Sequence, residues 1–154
     1  MGRSKHVSAG LLAFRRRGGI EVLLAHPGGP FWAKKDDGAW TIPKGLLEDG
    51  DKLADAAQRE FKEETNLNAT GPLMPLAPVN QKSGKTVHAF AFEADFDLAG
   101  FASNTFEIEW PPKSGRQQSF PEIDRIAYFE LAAARIKIIA YQLPLLDELA
   151  QRLR

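Results

Sequence analysis

Apolar residues recur along this chain in two rhythms, and the switches between them mark out strands, one central helix and a helical tail. Val7 to Phe14 and Ile20 to His26 are β-rich runs, joined through Arg17-Gly18-Gly19. Paired glycines permit the positive backbone angles of a tight hairpin, so the chain is expected to open with antiparallel strands. His26-Pro27-Gly28-Gly29-Pro30 ends the second strand, and Phe31 to Gly38 reads as an exposed loop. Trp40-Thr41-Ile42 then meets Pro43 and Gly45, which predicts a strand entering a turn and a polar loop. Lys52 to Thr65 contains no Gly or Pro, and Asp49 or Asp51 can cap it, so a helix is expected there.

Beyond a turn-rich stretch from Asn66 to Pro72, Leu73 to Asn80 and Thr86 to Phe96 read as a second strand pair around Lys82-Ser83-Gly84-Lys85. In the later strand Val87, Ala89, Ala91 and Glu93 alternate with His88, Phe90 and Phe92, which makes His88 a sheet residue. Thr105 to Trp110 alternates strictly, with Phe106, Ile108 and Trp110 on one face and Glu107 and Glu109 on the other. Solvation explains those two carboxylates, and a pocket role for one is the alternative. Pro111 and Pro112 end this strand, and Lys113 to Ser119 is expected to be a mobile, basic loop able to close over an anionic ligand. A short last strand, Ile126 to Phe129, precedes a tail that is helical in period from Leu131 and interrupted at Pro144. In it Ile136, Ile139, Leu143, Leu146 and Leu149 or Leu153 can face the sheet. Strands, helix, strands, helix is the order of an α+β sandwich with a mixed sheet, and 154 residues without a linker or repeat imply one domain over 1–154.

Charge and composition narrow the function. Twenty basic residues balance twenty acidic ones, so nothing argues for wrapping nucleic acid or lying on an anionic membrane, and a phosphate-bearing ligand must be held locally. The absence of cysteine excludes disulfides, thiolate metal sites and a cysteine nucleophile, in keeping with a reducing cytoplasm. The run from Ala9 to Phe14 is too short for a secretory signal, and Met1-Gly2 lacks the Ser or Thr of a myristoylation motif at His6. The expectation is a cytoplasmic, soluble protein.

The central helix carries the candidate chemistry. At about 100° per residue, Leu53, Ala54, Ala56, Ala57 and Phe61 form an apolar arc. Asp55, Gln58 and Lys62 point away from it, but Glu60 and Glu64 fall inside it and Glu63 lies on its edge. Carboxylates three and four residues apart repel one another along a helix face, and burial raises the cost of charging them. A lysine or arginine can offset this; so can a hard divalent cation, for which clustered oxygen ligands beside a Gly-containing loop are suited. A narrower apolar arc would leave the glutamates merely solvated.

From Gly45 to Leu67 the sequence resembles the signature box of the Nudix hydrolases, Gx5Ex7REUxEExGU. Gly45, Arg59, Glu60, Phe61, Glu63, Glu64 and Leu67 stand in register, with Pro43-Lys44-Gly45, Glu48 and Gly50 also matching its common form. Asp51 stands where the box has Glu, and Asn66 where it has Gly. Asp51 keeps the charge on a shorter arm, and Asn follows Gly in tolerance of the left-handed conformation that ends a helix. The resemblance implies a Nudix α/β/α sandwich and hydrolysis of a pyrophosphate bond in a nucleoside diphosphate derivative, using Mg2+ or sometimes Mn2+. Carried over by position, it makes Glu60, Glu63 and Glu64 metal ligands with the Gly45 carbonyl, gives Arg59 the orienting of the glutamates, and leaves Asp51 in support. The cations would neutralise the diphosphate and lower the pKa of a bound water, so that hydroxide attacks phosphorus in line. Glu60 is the box candidate for general base, and Glu122 matches the region from which a loop base comes, with Glu107 and Glu109 behind it.

Outside the box, the segments WxIPKG, EWPPKSG and QSFPE resemble bacterial Nudix proteins of predicted nucleotide pyrophosphohydrolase type, some near the diadenosine polyphosphate hydrolases. Lys44, Lys34, Lys35, Lys113 and Arg116 can meet an extended polyphosphate, while Trp32, Phe31 or Tyr128 can stack a base. The expected partner is a small-molecule nucleotide, dinucleoside polyphosphate or nucleoside triphosphate, with no membrane and no stable nucleic-acid partner; the sequence leaves the oligomeric state open. The alternative is a Nudix-fold sensor that binds a nucleotide without cutting it, motivated by Asp51 and Asn66.

Overall fold

The computed structural model describes residues 3–154; Met1 and Gly2, on which the myristoylation reading falls, lie outside them. Its strands are β1 (Arg3–Arg16), β2 (Ile20–Pro27), β3 (Lys44–Glu48), β4 (Met74–Pro75), β5 (Val79–Asn80), β6 (Thr86–Glu93), β7 (Thr105–Glu109), β8 (Gln117–Pro121) and β9 (Ile123–Glu130). The helices are α1 (Leu53–Thr65), α2 (Leu131–Lys137) and α3 (Leu143–Arg152).

A seven-stranded sheet has the order β4-β6-β1-β2-β9, with β3 also on β1 and β5 also on β6. The sheet is mixed as expected, because β1 and β6 run parallel while the other pairs are antiparallel. β1 lies in its middle with both faces covered, which explains the unbroken apolar run from Ala9 to Phe14. Ala9, Leu11 and Ala13 pack with Ala56, Ala57 and Phe61 of α1 on one face. Leu12 and Phe14 pack with Leu145, Leu146 and Leu149 of α3 on the other. The sandwich is therefore helix, sheet, helix. Phe61 anchors α1: it is fully buried and meets Phe92 and Phe96 with ring centroids 5.7 Å away in each case. Truncating such a ring costs about 3–5 kcal/mol.

Several local expectations are corrected. Trp40 and Thr41 form only isolated bridges, to Ile138 and Ala25, and the true strand begins after Pro43, with Gly45 inside β3. Neither Asp49 nor Asp51 caps α1; Lys52 holds the cap position without a side-chain bond, and Asp51 is turned instead toward the Glu48 amide and Arg59. The run from Leu73 to Asn80 is split at Pro75 and Pro78 into two short strands. Part of the expected basic loop is strand, since Gln117 to Pro121 pairs with β7 as a separate hairpin. The tail breaks at Ile138 and Ile139 rather than at Pro144, which sits in the first turn of α3, where its missing amide hydrogen costs nothing. Ile136 is 61% exposed and does not face the sheet. No helix among the described residues is long and apolar enough to cross a membrane.

Candidate active site

β3 and α1 meet over Gly45 and Glu60. A Cβ on Gly45 would fall 2.1 Å from the carboxyl carbon of Glu60, so any larger residue would push this carboxylate off the strand. One turn later, Glu64 Oε1 accepts the Lys44 amide at 3.2 Å. Glu60 and Glu64 are buried and Glu63 is exposed, as the helical period predicts for arc and edge. Asn66 ends the helix in the left-handed conformation, with φ 64°.

Arg59 and Asp51 support the carboxylates from behind. Arg59 Nη1 donates to Asp51 Oδ1 at 3.0 Å, and its Nη2 stands 3.7 Å from Glu60 Oε1. Asp51 also accepts the Glu48 amide at 2.7 Å. That amide, opposed by the cost of burial and helped by Arg59, holds the Asp51 carboxyl below the usual carboxylate range. The shorter Asp thus still bridges the loop to the helix.

Glu122 reaches the same place through a row of backbone bonds. The Gly28 amide donates to Glu122 O at 2.9 Å, the Glu122 amide to Asn104 O at 2.8 Å, and the Asn104 amide to Glu63 O at 2.9 Å. Gly28 is required here, because a Cβ would lie 2.0 Å from Pro121 O. Glu122 is exposed but close enough for its charge to act on Glu64. Burial pushes the Glu64 carboxyl up to about 8; Lys44 opposes the rise, and Glu60 and Glu122 add to it.

Among the described residues no three His, Cys, Asp or Glu side chains close around a point that could hold an ion. The arrangement is an open one, two buried carboxylates flanked by the exposed Glu63 and Glu122. One further observation bears on a cation: burial holds the Glu64 carboxyl back from ionising where it stands. A cluster of carboxylates open toward solvent fits a hard cation that keeps waters and takes phosphate oxygens for its other positions.

Trp32 and Lys44 share a cleft of about 160 Å³ with Pro27, Ala39, Thr41, Gln81, Ile139 and Tyr141. Lys44 is the link between cleft and carboxylates, since it lines the cleft while its amide bonds Glu64 and its charge acts on that carboxylate. Lys35 Nζ sits 4.9 Å from the Trp32 ring centre. Lys34, Lys113 and Arg116 are exposed and do not line the cleft. The β7–β8 hairpin that carries Lys113 and Arg116 does reach the first loop, where Phe31 and Trp110 meet edge to face with centroids 5.4 Å apart. Glu109 is taken up within the hairpin, accepting the Lys113 and Gly115 amides at 3.0 and 3.2 Å, and Glu107 is exposed. Tyr128 is also engaged: its hydroxyl donates to Ala94 O and accepts the Phe96 amide, and the Arg15 guanidinium lies 3.7 Å over its ring. His88 is a half-buried sheet residue.

Two buried polar residues that shape the site were not singled out by sequence. Gln142 accepts the Ile42 amide at 3.0 Å and donates to Thr41 Oγ1 at 2.8 Å, fixing the approach to Lys44. His26 bonds Asp124 and the Lys35 carbonyl. Only the interruption of an apolar run by a polar residue signalled either one.

A family model described as the NUDIX domain matches residues 4–149. Among solved structures, a C. elegans Ap4A hydrolase in a binary complex is 25% identical, with 95% of this chain and 97% of that one covered and a TM-score of 0.65. The NUDIX domain of Shewanella oneidensis NrtR, complexed with ADP ribose, has a TM-score of 0.65 at 15% identity over 98% of this chain and 90% of that one. A mutT/nudix family protein from Listeria innocua has a TM-score of 0.62 at 16% identity, covering 97% and 94%. No curated protein sequence matches the chain.

Proposed function

The chain belongs to the NUDIX family of pyrophosphohydrolases, and we propose that it hydrolyses a phosphoanhydride bond of a nucleoside polyphosphate with Mg2+, for which Mn2+ can substitute. The observation that carries this reading is the burial of Glu60 and Glu64 side by side against β3, a burial that pushes the Glu64 carboxyl up to about 8. Glu60, Glu63, Glu64 and the Gly45 carbonyl are the proposed ligands. When bound, the cation supplies Lewis-acid polarisation of the phosphate and a more acidic water.

The chain's own residues do the rest. Arg59, fastened by Asp51, keeps Glu60 aimed past Gly45 rather than into solvent. Lys44 stands between cleft and carboxylates, where its ammonium meets the polyphosphate as the ligand enters. Glu122 is exposed, near enough for its charge to act on Glu64, and on a firmly bonded backbone, which suits a group that accepts the proton of an attacking water. Glu60 is the other candidate for that proton. Trp32 offers a ring for the base, and the basic residues Lys34, Lys113 and Arg116 extend the positive surface along the loops.

Dinucleoside polyphosphates lead the proposed substrates, followed by nucleoside triphosphates, because an Ap4A hydrolase shares nearly the full length of this chain. The departures at Asp51 and Asn66 give little support to a non-hydrolysing sensor, since Asp51 keeps the Arg59 pair and Asn66 adopts the required left-handed turn. The test is a panel of both nucleotide classes with Mg2+ or Mn2+, products resolved by mass. Cleavage of at least one member is expected; folded protein that turns over none overturns the reading.

A further inference from the structure

His26 is the one fully buried ionisable side chain in β2, and its ring is bonded at both nitrogens. Nε2 lies 2.6 Å from the carbonyl oxygen of Lys35 and Nδ1 lies 2.8 Å from Asp124 Oδ1. A carbonyl and a carboxylate oxygen both accept, so the imidazole is held between two acceptors, one at each ring nitrogen. Asp124 is itself braced by Arg125 at 3.5 Å, whose guanidinium also lies 5.3 Å over Trp40. The Trp40 ring closes the other side of the imidazole, edge to face at 5.2 Å.

This pairing joins points far apart in sequence. Asp124 is the second residue of β9, two residues beyond Glu122, while Lys35 lies at the base of the loop that carries Trp32 and Lys34. Below Lys35 the same loop is tied down a second time, where Asp36 accepts from Trp40 Nε1 at 2.8 Å and Lys137 Nζ at 2.7 Å. Above it, the Lys35 amide donates to Trp32 O at 3.0 Å, so holding the Lys35 peptide also sets the Trp32 peptide. A core histidine selected for packing alone would be served as well by Phe or Leu, without a polar ring to satisfy and without a carboxylate brought in to meet it.

We propose that His26, oriented by Asp124, is a positioning residue that fixes the Lys35 peptide and thereby sets the Trp32 side of the cleft for the nucleotide. The clamp acts on substrate binding and leaves the phosphate chemistry at Glu60, Glu63 and Glu64 largely alone. Its functional half rests on the nucleotide reading above; its structural half does not.

The experiment compares the full chain with His26→Phe, Asp124→Ala and Asp124→Asn, using diadenosine tetraphosphate and a nucleoside triphosphate with Mg2+, and follows amide hydrogen exchange over Trp32 to Ala39. Loss of an oriented, charge-assisted hydrogen bond is expected to raise KM about tenfold in His26→Phe and Asp124→Ala while kcat stays within about threefold. Exchange at the Lys35 and Ala39 amides should speed up in both. Asp124→Asn, which keeps an oxygen acceptor at Nδ1, should restore most of the wild-type KM. If Asp124→Ala, at a surface position that keeps the core intact, leaves both KM and the exchange of this loop unchanged, the proposal fails. Faster exchange with unchanged KM would also overturn it, reducing His26 to a structural tie. Should the wild-type protein cut no nucleotide, the function reading fails, and the exchange arm alone decides whether the clamp exists.

Discussion

Around Glu60 and Glu64 each group is held from several directions, whereas the loop of Phe31 to Gly38 and the β7–β8 hairpin are fixed at their bases and exposed at their tips. The carboxylates sit between a glycine that nothing larger can replace, an arginine tied to Asp51, and a helix locked by Phe61. The tips meet chiefly through one aromatic contact, Phe31 on Trp110, and Phe31 is still 58% exposed. Such a division suits an enzyme whose chemistry tolerates no displacement but whose ligand must enter and leave. It predicts that substitutions in the first region act on kcat and those in the second on KM.

The largest break should come from Glu63→Gln. This residue is exposed, so the fold survives, and kcat/KM should fall by about 10²–10⁴; Glu122→Gln should cost less, about 10- to 100-fold. Steady-state kinetics on folded variants check both, and a Glu63→Gln enzyme within twofold of wild type would remove the carboxylate face from the chemistry.

Next comes pH. Because the Glu64 carboxyl is raised from 4.5 to about 8, the folded state holds a proton that the unfolded chain releases. Its stabilising contribution is therefore complete below about pH 4.5 and is lost as pH rises through 8. In chelator, Tm should drop by on the order of 5–10 °C between pH 6 and pH 9, and Mg2+ should recover part of the drop at the alkaline end. A Tm that rises over this range would show that Glu64 is not held protonated. On the loop side, Trp32→Ala should raise KM by about 5- to 30-fold through lost stacking, with kcat little changed. Smallest of all, Lys113→Ala with Arg116→Ala should raise KM only about 2- to 5-fold, and less at high salt, because both side chains are exposed. If the double variant instead abolished turnover, the hairpin would belong with the chemistry.

The same contrast governs what could be read in the sequence. Burial of Glu60 and Glu64 and exposure of Glu63 follow from helical period and need no knowledge of the partner surface. The left-handed Asn66 follows from local backbone preference. By contrast, Trp40 to Ile42 carries the composition of a strand, yet its place is set by Gln142 a hundred positions away. β8 is largely exposed and so has no apolar rhythm to reveal it; it is strand because β7 pairs with it. Pro144 breaks a period on paper but begins a helix in space, since the first turn needs no amide hydrogen there. His26 and Asp124 are 98 residues apart, and pairing at that distance has no local signature.

The central claim is that Glu60, Glu63 and Glu64, beside the Gly45 carbonyl, form a divalent-cation face. Titrating isotope-labelled protein with Mn2+ and following paramagnetic broadening of its amide resonances tests this directly, without any assumption about substrate. The account predicts that broadening begins at Lys44 to Leu46 and Glu60 to Thr65, spreads to Glu122, and is suppressed by competing Mg2+. Broadening centred elsewhere, or none at millimolar Mn2+, would contradict it.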